Sequence, residues 1–79
     1  MKVTYDPAAD ALHIRFREVP VEDTGEDENG FIFDYDRTGK VIGIEILDAS
    51  SHIDNPCALS YETLGDVSEH QILNQKVFA

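Results

Sequence analysis

The stretch from Gly30 to Ser50 constrains the fold of this 79-residue chain more than any other. Two apolar runs, Phe31-Ile32-Phe33 and Val41 to Leu47, flank the turn Asp36-Arg37-Thr38-Gly39. Apolar runs of that length around a short polar segment with glycine predict a core β-hairpin. Side chains alternate along a strand, so the register can be argued. Phe31, Phe33 and Tyr35 form one stripe, and Ile42, Ile44 and Ile46 another. The stripes share a face when Tyr35 pairs with Lys40, Phe33 with Ile42 and Phe31 with Ile44. That pairing leaves a loop from Asp36 to Gly39, with Gly39 in the left-handed conformation. Closing the hairpin between Asp36 and Lys40 instead slips the register by one. Asp34 would then lie beside Ile42 on the buried face, at a desolvation cost on the order of several kcal/mol. The longer loop is therefore expected. Gly43 falls on the second face opposite Ile32, where a strand glycine marks a bulge or a close approach by another element.

The rest of the chain reads as further short strands. Lys2-Val3-Thr4-Tyr5 places Val3 and Tyr5 on one face, and Asp6-Pro7 stops it, because proline lacks an amide donor. A second strand directs Leu12, Ile14 and Phe16 one way and His13, Arg15 and Arg17 the other, the pattern of a sheet with one wet face. Val21 to Thr24 is expected as a short third strand, its acids across from Arg15 or Arg17. Gly25 to Gly30 reads as an acidic loop ending in an Asn-Gly turn. Asp48-Ala49-Ser50-Ser51 reads as a helix cap leading into at most a short turn, which Asn55-Pro56 ends. Cys57 to Thr63 alternates weakly and is expected as another strand. Asp66 or Ser68 is placed to cap a helix carrying Val67, Ile72 and Leu73. The fold class expected is α+β: an antiparallel meander of four to five strands over residues 1–50, with a C-terminal helix or arm in 51–79.

Bulk composition narrows the functions. A chain this short holds one domain and buries only ~60–65% of its unfolded surface. Sixteen Asp and Glu against six Lys and Arg give a formal charge of −10. Such a field repels phosphate backbones and disfavours nucleic acid, while attracting cations or a basic protein. No apolar run approaches the ~20 residues that span a bilayer, so no membrane role is expected. The lone Cys57 cannot form an internal disulfide, and no apolar leader follows Met1-Lys2; a cytoplasmic location is expected.

Two blocks of sequence resemble a known family. The first is Val3-Thr4-Tyr5-Asp6-Pro7-Ala8-Ala9-Asp10-Ala11-Leu12-His13-Ile14-Arg15-Phe16. The second runs from Asp34-Tyr35-Asp36-Arg37-Thr38-Gly39 through Gly43-Ile44-Glu45-Ile46-Leu47 to Asp48-Ala49-Ser50. Together they resemble the small prokaryotic domain of unknown function numbered 2283, over roughly the first two-thirds of the chain. His13 stands where that family's pattern has a tyrosine. The family brings no activity with it. Its members look like frequent genomic neighbours of small toxins, which implies an antitoxin-like role. The resemblance says nothing about residues after Ser50.

Several residue sets invite a chemical reading. Asp34, Asp36, Thr38, Gly39 and Glu45 match the calcium-loop template, with convergent oxygens and a glycine for the sharp turn. Their context is strands, whereas an EF-hand needs helices. In a hairpin Glu45 lies several residues along from Gly39, so turn chemistry explains the same letters. Asp34 and Glu45 also suggest a paired-carboxylate acid and base, and the solvent face of two strands accounts for both. His13, His52, His70 and Cys57 have no close-pair ligand spacing. No catalytic residue and no cofactor is expected.

Surface is what remains. His13, Arg15 and Arg17 share the wet face with acids, while Ile32 and Val41 break its polarity beside Gly43. Something covers that apolar pair: the C-terminal segment, a second copy as a homodimer, or another protein. The expected interaction surface is Ile32, Val41, Gly43 and Arg15. The function expected is that of a non-enzymatic acidic interaction module; the alternative is a divalent-cation domain built on Asp34 to Glu45.

Overall fold

In the computed structural model, which describes residues 1–66, the period-two stretches have become strands. They are β1 (Lys2–Asp6), β2 (Ala11–Arg15), β3 (Asp23–Glu26), β4 (Phe31–Tyr35) and β5 (Val41–Ile46), followed by the short helix α1 (Ala49–His52). All neighbours are antiparallel, in the order β1-β2-β5-β4-β3. The class is α+β with the sheet dominant. β3, β4 and β5 run as a meander, and the hairpin β1–β2 attaches by pairing β2 to β5.

Two expectations about strands change. The third strand starts at Asp23 rather than Val21 and takes up Gly25 and Glu26 from the acidic loop. Its position follows from Asp27, whose amide bonds Phe31 O at 2.9 Å and so closes the β3–β4 hairpin. Because β3 forms the far edge of the sheet, β4 and β5 separate it from β2, and its acids do not face Arg15. The stretch from Cys57 to Thr63 forms no strand; it is exposed and pairs with none of the strands. The helix expected to carry Val67, Ile72 and Leu73 lies outside the described residues.

The central hairpin corrects the expected register. The Asp36 amide bonds Lys40 O at 2.9 Å, and the Gly39 amide bonds Asp36 O at 3.0 Å. That is the tighter closure, with Gly39 at φ 86°. It starts one residue out of phase with the apolar stripes. A β-bulge absorbs the slip: Tyr35 pairs with Val41 but Asp34 with Gly43, so Ile42 is the extra residue. From there Phe33 meets Ile44 and Phe31 meets Ile46. Asp34 thereby faces a glycine instead of Ile42, and the desolvation cost is avoided. Ile42 is only 1% exposed, the most deeply buried large side chain of the described residues.

Both β4 hairpins use one turn device. Asp27 and Asp36 each stand three residues before a glycine with φ 86°. Asp36 Oδ1 accepts from Thr38 N, Thr38 Oγ1 and Lys40 N at 2.8, 2.7 and 3.0 Å. Asp27 Oδ1 accepts from Asn29 N and Phe31 N at 2.9 and 3.0 Å. The carboxylate satisfies turn amides that no ladder reaches, which is why aspartate suits the first position.

Candidate interaction surface

The register sorts the side chains into rows. Val3, Ile14, Ile44, Phe33 and Gly25 lie opposite one another across all five strands. Tyr5, Leu12, Ile46 and Phe31 form the next row on the same face. A sheet with such a face needs a second layer. Here the second layer is small. Among the described residues only Leu12, Ile42 and Ala49 are fully buried hydrophobics. Val3, Tyr5, Ile14, Phe31, Phe33, Ile44 and Ile46 remain half-buried, and Phe16 and Val41 are exposed. Among the described residues cover lies at one end, where His52 of α1 packs on Phe31 with ring centroids 5.1 Å apart. Pro56, Cys57 and Leu59 border a groove with Val3, Tyr5 and Pro7.

The other face is polar. Its rows are Lys2, Arg15, Gly43, Asp34, Thr24 and Thr4, His13, Glu45, Ile32, Glu26. Basic groups gather on β1 and β2 and acids on the remaining strands. His13 Nε2 reaches across β5 to Asp34 Oδ2 at 3.0 Å. The bond passes over Gly43, where an added Cβ would lie 2.9 Å from Asp34 Oδ2, 3.1 Å from Ile14 O and 3.4 Å from His13 Nε2. The close approach that a strand glycine signals is therefore this bridge, an intramolecular one.

The proposed surface residues are accordingly divided. Ile32 lies on the polar face between Glu45 and Glu26, and Gly43 is buried beneath the bridge. Val41, displaced by the bulge, stands opposite Tyr35. Arg15 is occupied with its own loop, donating to Arg17 O at 3.2 Å and Val19 O at 2.6 Å. The candidate cation ligands separate in the same way. Asp34 is bonded to His13, Asp36 and Thr38 are bonded within the turn, and Glu45 lies near the far end of β5, between His13 and Ile32. Among the described residues no three His, Cys, Asp or Glu side chains converge as metal ligands. Beside the turn, Arg17, Glu22, Arg37 and Lys40 border an open cleft of about 600 Å³ with mixed charge.

One polar cluster was not anticipated. Asp10, at φ 50° in the β1–β2 turn, accepts from the Tyr5 hydroxyl at 2.7 Å, Ser50 N at 3.0 Å and Ser50 Oγ at 2.6 Å. Its backbone carbonyl takes the Ala49 amide at 2.9 Å. Asp48 occupies the cap position of α1 but makes no side-chain cap bond, so Asp10 caps the helix from another turn. The Ser50 hydroxyl first, and then the Tyr5 hydroxyl, hold the Asp10 carboxyl below the usual aspartate range. The same bond to Asp10, with desolvation behind it, pushes the Tyr5 phenol up to about 12. Similarly, the Thr38 hydroxyl, ahead of the turn amides, depresses the Asp36 carboxyl. Tyr5 and Asp10 come from the first sequence block and Ser50 ends the second, so the cluster ties the two blocks together. Forty positions separate Asp10 from Ser50, and no local pattern announces the contact.

No helix of the described residues is long and apolar enough to cross a membrane. No curated protein matches the chain, and no solved structure does. One family does match over residues 2–50, the part that contains the whole sheet and the Asp10–Ser50 tie, and the chain belongs to it: DUF2283, a family described as protein of unknown function.

Proposed function

We propose that the chain is a non-enzymatic protein-interaction module whose open apolar sheet face is covered by protein, with an acidic exterior that selects a basic partner in an antitoxin-like role. The observation that carries this reading is the face itself. Apart from the buried Leu12, the aliphatic and aromatic residues of its two rows remain half-buried after folding. Contiguous apolar patches larger than a few hundred Å² mark interaction sites on small proteins. The net charge of −10 supports the choice of partner, since an acidic field accelerates encounter with a basic one. The polar side chains with perturbed titration, Asp10, Asp36 and Tyr5, are engaged in bonds that hold a turn, a helix cap and the link between them, which suits a structural role.

The test is co-expression with the product of the adjacent gene, followed by size exclusion with light scattering from low to high salt. A stable complex is expected, with an association rate that falls about tenfold or more as salt screens the charges. A hydrophobic dye should bind the chain wherever its sheet face is free and be displaced by a protein that covers that face. A free chain that binds no such dye and captures no basic partner defeats the reading.

A further inference from the structure

We infer that a second copy of this chain covers the apolar face, each protomer laying its arm from Leu59 to Leu64 across the sheet of the other. The inference rests on the reading of that face as a docking surface and names its occupant.

The arm begins at a turn beside its own sheet. Cys57 N bonds Asn55 Oδ1 at 3.0 Å and Ala58 N bonds Asn55 O at 3.1 Å, and Leu59 borders the groove with Val3, Tyr5 and Pro7. Beyond the turn Leu59, Tyr61 and Leu64 are 72, 74 and 84% exposed. No other stretch of the described residues exposes three large hydrophobics so fully. The described residues thus carry two open apolar surfaces, the arm and the end of the sheet at Ile14, Phe16 and Val41. Reciprocal exchange about a twofold axis covers both at once, because an isologous contact makes every arm–face pairing occur twice.

The areas match what a dimer needs. At roughly 150 Å² per side chain when all three of each arm are covered, two arms bring at most about 900 Å² and cover a similar area on the two sheets. The total, at most ~1,800 Å², falls in the range of stable specific interfaces. A domain of this size that completes only a small core alone gains most from such an assembly.

Sedimentation equilibrium on the full chain, at roughly micromolar to 100 µM concentrations, tests the inference. The wild type is expected at twice the chain mass. An arm variant, Tyr61→Asp with Leu64→Asp, and a face variant, Phe16→Asp with Val41→Asp, should each weaken dimerisation at least ~100-fold. All four positions are exposed, and circular dichroism checks that the sheet persists. Mixing the two variants should give a heterodimer tighter than either variant alone, because one of the two pairings joins an intact arm to an intact face. A monomeric wild type overturns the inference, since the face is then free or covered by its own chain. A dimer indifferent to the arm variant also overturns it, as does a mixture that associates no more tightly than either variant alone. In each of these outcomes dye binding and capture of a basic partner still decide the wider reading independently.

Discussion

Gly43→Ala isolates the cost of putting one methyl group under the His13–Asp34 bridge. Gly43 does not have a left-handed φ, so the substitution carries no dihedral strain and its effect is purely steric. The new Cβ would lie 2.9 Å from Asp34 Oδ2 and 3.1 Å from the backbone carbonyl of Ile14. The carboxylate can swing away at the expense of its bond to His13. The carbonyl is held in the β2–β5 ladder and cannot move without opening it. Overpacking of this kind costs ~1–3 kcal/mol. The lower chain entropy of alanine in the unfolded state returns about 0.4–1 kcal/mol. The net expectation is a loss of roughly 1–2 kcal/mol, or about 5–15 °C in Tm for a domain of this size. Urea denaturation of the single variant gives the total. A double-mutant cycle between His13→Ala and Asp34→Ala, run in the wild-type and the Gly43→Ala backgrounds, apportions it. The coupling should be ~0.2–1 kcal/mol with glycine, as for a partly exposed pair, and vanish with alanine. An alanine variant as stable as wild type with its His13–Asp34 coupling intact refutes the argument.

Three further outcomes are expected. Gly39→Ala meets nothing within 4 Å but must hold φ 86°, so it should cost about 1–2 kcal/mol by urea denaturation from backbone strain alone. Ser50→Ala should lower Tm by several degrees and return the Asp10 carboxyl toward its ordinary range, followed by carbon-detected NMR titration. A carboxyl depressed in the folded state stabilises it above the unfolded value and loses that contribution as pH falls. Part of the acid unfolding below ~pH 4 should therefore disappear in the variant. Tyr5 has the opposite sign. Its phenol is raised from 10.0 to about 12, so the stabilisation is complete below pH 10 and lost as pH rises through about 12. Ultraviolet titration should show a late tyrosinate step that Tyr5→Phe removes.

What the letters carry is what short-range periodicity encodes. The apolar stripe of β2, the two stripes of the central hairpin and the antiparallel class follow from alternation of side chains. Gly43 is legible as a point of close approach, though not what approaches it, because His13 and Asp34 come together only once β2 and β4 flank β5. The hairpin register shows the limit more sharply. A closure between Asp36 and Lys40 looks excluded from sequence, because a rigid slip would put Asp34 on Ile42. A bulge makes the slip local; Gly43 marks a bulge as one of its two readings, but nothing in the letters Val41-Ile42-Gly43 makes Ile42 the extra residue or ties the bulge to the hairpin closure. The Asp10–Ser50 tie is invisible for another reason: Asp10 reads as an ordinary turn residue until the fold brings α1 to it.

The aspartate turns also explain why a calcium-loop pattern arises in a chain whose context is strands. An EF-hand and this hairpin both need an oxygen at the first position of a sharp turn and a glycine where φ is positive. What differs is what the oxygen faces. Around Asp36 it faces two amides and a hydroxyl, all donors, and the same arrangement of amides recurs at Asp27, where no template matches. Donors and a cation compete for the same lone pairs. Asp36→Asn discriminates the two roles, since the amide oxygen of asparagine still accepts the turn bonds but carries no charge. For a turn, Asp36→Asn should keep the hairpin and lower Tm far less than Asp36→Ala, with no change when millimolar calcium is added. For a cation loop, Asn should abolish a calcium-dependent gain in Tm shown by the wild type. Thermal denaturation of the three proteins with calcium and with chelator separates the cases, and a wild type stabilised by calcium would reverse the assignment made from these bonds.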